Sequence, residues 1–156
     1  MTLIPHLAKH FKDVHFGGNW TSVNLRDTLS DITFEEATTR VQDLNTIAVL
    51  VFHINYYVGA ITRVLQGKPL TASDKFSFDL PPLHSEEEWK ALVDKVLAEA
   101  EILGKEIELL EERQLYENFT DAKYGNCLRN LMGVTEHTHY HLGQISILKK
   151  LIRNKK

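Results

Sequence analysis

The stretch "EHTHYHLGQI", Glu136 to Ile145, places histidines at 137, 139 and 141. The secondary structure adopted there governs both the fold and the chemistry open to the chain. In a strand, alternate residues share a face, so all three imidazoles converge. In a helix each residue turns by about 100°, so His137 and His141 share a face while His139 points nearly the opposite way. The surrounding pattern selects the helix. Asn130, Gly133, Val134, His141, Gln144, Ile145, Leu148, Leu151 and Ile152 all fall within about 80° of His137 on a helical wheel. Two histidines therefore lie in the stripe that packing buries, and no partner strand is visible elsewhere.

The rest of the chain is also helical in pattern. Between Phe34 and Gln66, Val49, Leu50, His53, Tyr57, Ala60, Ile61 and Val64 recur at three- and four-residue steps. Trp89, Leu92, Val93, Val96, Leu97, Ala100, Leu103, Ile107 and Leu110 do so between Glu86 and about Tyr116, with Gly104 as a tolerated defect. Shorter helices are expected near 2–15 and 23–29. Thr33 with Glu36, and Ser85 with Glu88, have the spacing of capping boxes. Gly67 and Pro69 stop the second helix, and the polar "ENFTDAKYGN" forms the last connection. Three long helices and a shorter first one predict an all-α fold, an antiparallel four-helix bundle, as a single domain over 1–156. The connection from Gly67 to Ser85 is expected to cross one end of it.

Composition narrows the function. A net charge of -3 leaves no electrostatic footprint for nucleic acid. The single cysteine, Cys127, excludes an internal disulfide and fits a reducing, cytoplasmic setting. The N-terminal residues lack a signal-peptide pattern. No run reaches the roughly 18 apolar residues of a membrane span.

A buried imidazole without a partner costs on the order of 1–3 kcal/mol. Two on adjacent turns need hydrogen bonds or a shared metal ion, and H-x3-H on a helix suits one ion. His53, in "VLVFHINYY", is another histidine in an apolar stripe and a natural third ligand. The plainer alternative is a hydrogen-bonded structural cluster of histidines.

"HINYYVGAITRVLQGK", followed by "GVTEHTHYHLGQISILKKLI" and preceded by "WTSVNLRDTLSDITFEEA", resembles the DinB-like superfamily of four-helix bundles. The likeness covers most of the chain. It implies a divalent metal ion (zinc, nickel or iron) held by His53, His137 and His141, with Gly143 and Gln144 completing the motif. It also implies a small-molecule substrate and a homodimer. Some relatives in that superfamily are transferases using low-molecular-weight thiols such as bacillithiol, mycothiol or glutathione. Others are isomerases of thiol adducts or metal-dependent hydrolases.

Three neutral imidazoles leave positions open on a divalent ion, which points to catalysis rather than a closed structural site. Such an ion lowers the pKa of bound water to ~7 or holds a thiol as its thiolate. The expected function is thus a metal-dependent thiol S-transferase, or a related hydrolase, acting on a small electrophile. The alternative is a non-catalytic metal-binding bundle with a structural, sensing or interaction role. A ferritin-type di-iron site needs two Glu-x-x-His motifs, and only Glu136 to His139 supplies one. Gln144 is expected to orient a ligand, Tyr57 to offer its hydroxyl to the pocket, and Trp20 and Asn24 to wall the site. Gly143 is read as permitting close helix packing. His139 is read as lying off the ligand face, and His6, His10 and His15 as surface or first-helix positions. Cys127 is either activated at a helix start or buried as a small hydrophobe.

Overall fold

The computed structural model describes residues 2–154. Among them are six α-helices and three short 3-10 turns, with no strand beyond one isolated bridge between Asn118 and Asn126. The helices are α1 (Ile4–Phe16), α2 (Leu25–Leu29), α3 (Phe34–Thr38), α4 (Ile47–Leu65), α5 (Glu86–Glu108) and α6 (Cys127–Arg153). The all-helical expectation holds. α4 packs against α5 and α6, and α1 packs against the same two helices.

Each of the longest helices starts where a side chain can accept from an otherwise unpaired backbone N–H. Thr46 Oγ1 accepts from Val49 at 3.3 Å, Ser85 Oγ from Glu88 at 3.2 Å, and Asn126 Oδ1 from Arg129 at 2.9 Å. The Ser85 box is only half made, because the Glu88 carboxylate accepts from His84 N–H instead. The Thr33–Glu36 box is complete, yet it starts a helix of five residues, not one running on to Gln66. At its end the Thr38 and Thr39 hydroxyls donate back to the carbonyls of Phe34 and Glu35, a bond that Thr62, Thr135 and Thr138 also make inside unbroken helices. Thr39 then turns extended, Val41 is buried, and Gln42 takes φ 50° before Thr46 begins α4. α5 also ends earlier than its apolar pattern suggests, with a 3-10 turn over Glu112–Tyr116.

The core forms where the helical stripes meet. Phe11 and Val14 of α1, Ile47, Val51, Ile54 and Val58 of α4, Trp89 and Leu103 of α5, and Leu131, Leu142 and Ile145 of α6 are all buried in one cluster. The Trp89 indole donates to the Ile32 carbonyl at 2.7 Å, so its one polar group is satisfied. Gly104 is more than a tolerated defect. A Cβ there would lie 2.5 Å from Lys12 Cε, and Lys12 crosses α5 at that point to reach Glu108 at 2.6 Å.

α4 has no unbroken run of 18 apolar residues, its longest being 47–52. By length and mean hydropathy (1.4) it is apolar enough to cross a membrane, although 56% of that window is buried inside the protein. At the far end of α6, Arg153 reaches Glu36 at 2.9 Å and Asp31 at 2.9 Å, and Lys149 also meets Asp31. The loop after α2 and the start of α3 are thereby tied to the last helix.

Candidate metal centre

His53 sits mid-way along α4 and His137 and His141 on successive turns of α6. Their candidate ligand atoms all lie within 4.8 Å of one another. His53 Nε2 and His137 Nε2 are 3.0 Å apart. Two nitrogens bound at about 2.0–2.1 Å to one ion lie roughly 3 Å from each other. The ring centroids are 4.8 Å (His53 to His137), 4.7 Å (His53 to His141) and 4.5 Å (His137 to His141) apart.

The outer nitrogens fix which atoms face inward. His53 Nδ1 lies 3.1 Å from the Ser77 carbonyl and His141 Nδ1 lies 2.7 Å from Gln144 Oε1. Both oxygens accept only, so each Nδ1 carries the proton and each Nε2 presents a lone pair to the cluster. His137 Nδ1 is buried with no partner. With its proton on Nε2, His137 donates to the His53 Nε2 lone pair and only its Nδ1 lacks a partner; with that proton on Nδ1, the three rings present a donor set that fits a divalent cation. Burial, followed by the neighbouring His141 and His53, pushes the His137 pKa down to about 4. Burial is also the main cause lowering that of His53. Both rings are therefore neutral at pH 7, the form that binds metal.

A strap from the α4–α5 connection covers His53. The Phe78 ring stacks on it with centroids 3.8 Å apart and planes 8° from parallel. Tyr57 O–H donates to Asp74 Oδ1, and Tyr56 O–H donates to the Ser73 carbonyl while accepting from Ser73 N–H. Two tyrosines about one turn beyond His53 thus pin the strap that carries Ser77 and Phe78. Tyr57 also meets His53 and His137 edge-on, at 5.2 Å and 4.8 Å. The sequence pointed to this connection, with its "FSFDLP", as a segment crossing one end of the bundle, but assigned none of its residues to His53. The aromatic pair in "FSFDLP" was the available signal.

Other expectations fare variously. His139 stays outside the cluster, 3.1 Å from Thr21 Oγ1. Gln144 meets His141. The walls expected from Trp20 and Asn24 do not match their placement: Trp20 is 98% exposed, and Asn24 spends its side chain on Asp27 as the cap of α2. Gly143 has nothing within 4 Å of a built Cβ, so it permits no close packing within this chain. Cys127 is buried, and burial pushes its thiol up to about 11, away from activation. His15 lies in the first helix, one of the two places expected for it, and is fully buried there.

A cleft of about 550 Å³ opens beside the cluster, between α4 and α6. Tyr57, Ile61, Leu128, Met132, Val134 and His137 form much of its wall. The chain matches no family model, no curated protein and no solved structure.

Proposed function

We propose that the protein is a metal-dependent enzyme whose open three-histidine site transfers a thiol to a small electrophile, with hydrolysis as the related outcome. The observation that carries this is the convergence of His53, His137 and His141, with two of the three rings held by oxygen acceptors on their outer nitrogens. When bound, a zinc, nickel or iron(II) ion would supply Lewis acidity that favours the deprotonated form of a water or thiol. The chain's own part is to hold three neutral imidazoles in register and to admit a small molecule through the cleft beside His137. Tyr57 keeps its hydroxyl on Asp74, with its pKa raised chiefly by burial and by that carboxylate, so it stays a proton donor.

The packing of α1 and α4 against both α5 and α6 supports an antiparallel four-helix bundle of the DinB-like type. Tyr140 and Ile147, exposed on α6 on either side of the open Gly143, support a homodimer through that helix. A cytoplasmic protein with small-molecule partners, and no role on nucleic acid or membranes, is the setting this chemistry suits.

A second reading has its own observation. His53 and His141 are only 5% and 8% exposed, and Phe78 covers one of them. That favours a metal held for stability or sensing. The first test is metal content by mass spectrometry on untagged protein. About one equivalent in wild type and His139→Ala, lost in His53→Ala, is expected. Turnover of a thiol with an electrophile by the loaded protein then supports the enzyme. A metal whose removal lowers only the melting temperature supports the structural role. A wild type that takes up none of the three metals overturns both.

A further inference from the structure

The wall of the cleft formed by α6 is a polarised track. Asn126, Arg129, Asn130, Gly133 and His137 line it, at the three- and four-residue steps of one helical face. Arg129 and His137 are eight residues apart, roughly 12 Å along the helix. Between them Gly133 carries no side chain, and nothing lies within 4 Å of a Cβ built there. Glycine is a poor helix former, and here it leaves the middle of the track clear.

The two ends differ in charge. Arg129 has no carboxylate partner among the described residues; the one hydrogen bond of its guanidinium is to the Tyr124 carbonyl, at 3.3 Å. Its stem lies over Gly125, where φ is 75° and a Cβ would sit 2.9 Å from Arg129 Cδ. The guanidinium is thus held at the end of the cleft. The Asn130 amide is taken by the carbonyls of Tyr124 and Asn126, so Arg129 is the cation left for a ligand. At the other end Glu136 lines the cleft beside His137 and repels a second anion.

We infer that the cleft takes an elongated, mainly apolar monocarboxylate, with its carboxylate on Arg129, its body over Gly133 and its reactive end toward His137. This rests on the metal-site reading only for the chemistry at the far end. A guanidinium–carboxylate pair supplies the anchoring, and Ile61, Leu128 and Met132 supply apolar contact.

Calorimetric titration with 8-hydroxyoctanoate and its neutral counterpart 1,8-octanediol tests it, on the chelator-treated and the zinc-loaded chain. The acid is expected to bind roughly ten- to hundredfold tighter than the diol, even without metal. Arg129→Gln removes that preference and leaves zinc content unchanged. Gly133→Leu weakens both probes by about tenfold or more while keeping zinc and the melting transition. Equal binding of the two probes, a preference that survives Arg129→Gln, or full binding by folded Gly133→Leu overturns the inference. Arg129 is exposed, so its variant decides the matter if Gly133→Leu misfolds. A wild type that binds the acid selectively but takes up no zinc sinks the metal reading alone.

Discussion

Burial pushes two histidines of this protein down to about pKa 4, and they lead to different consequences. His137 belongs to the cluster. His15 does not: it is fully buried in α1, its Nδ1 lies 2.9 Å from the Phe11 carbonyl, and its Nε2 has no partner. Its pKa is lowered to about 4 mainly by burial. In the unfolded chain the ring titrates near 6.5. The unfolded state therefore takes up the proton first as pH falls, and stability is lost between about 6.5 and 4, by on the order of 3 kcal/mol. His15→Leu should flatten that part of the stability profile, measured by urea unfolding at pH 7 and pH 4.5. A variant that loses stability over this range as steeply as wild type would show that His15 is not the group responsible. At the cluster, Gln144→Leu should weaken zinc binding roughly 10- to 100-fold, while Gln144→Glu, which keeps an acceptor for His141 Nδ1, should retain most of it. Competition with a chromophoric chelator reads both. The ligand residues were legible because a histidine in an apolar stripe stands out against helical periodicity. The orienting group on His53 was not, because Ser77 acts through its backbone carbonyl, which any residue carries.

At the scale of elements, the strap over Asp74 to Phe78 sets the environment of His53. Removing the stacked ring in Phe78→Ala should lower zinc affinity by a few-fold to about tenfold. Phe76→Ala, at an exposed ring with no stacking on His53, should leave it unchanged. The same chelator competition compares the two, and equal effects would remove the strap from the site. The long helices could be read from apolar steps, since α5 and α6 begin at Ser85 and Asn126 as their caps require. The break between α3 and α4 could not. Thr38 and Thr39 are acceptable within a helix on propensity, and Val41 continues the apolar pattern. The helix ends where Thr39 turns extended, and Val41 is buried in the connection rather than on a helical face.

For the whole molecule, the Asp31–Glu36–Arg153–Lys149 network joins two segments more than a hundred residues apart. Arg153→Met removes the guanidinium from the largely buried Glu36, which keeps its Thr33 N–H, and should cost roughly 1–3 kcal/mol at pH 7. Lys149, then Arg153, holds the Asp31 carboxyl down at about 2. A depressed carboxylate pKa stabilises above its ordinary value near 3.8 and loses that contribution as pH falls through about 2. The penalty of Arg153→Met, from urea midpoints, should therefore be smaller at pH 2 than at pH 7; a constant penalty would assign it to packing. A longer span is set by the cluster. His53 and His137 are 84 residues apart, and all of α5 lies between them. An ion shared by these two rings would act as a clasp on a chain whose lone thiol cannot form one with itself. Closing a loop of that length disfavours the unfolded state by about 4.5 kcal/mol in the chain-entropy view. Unlike a disulfide, this clasp opens to protons and chelators rather than to reductants. The lifetime of the folded protein would then follow the metal supply around it.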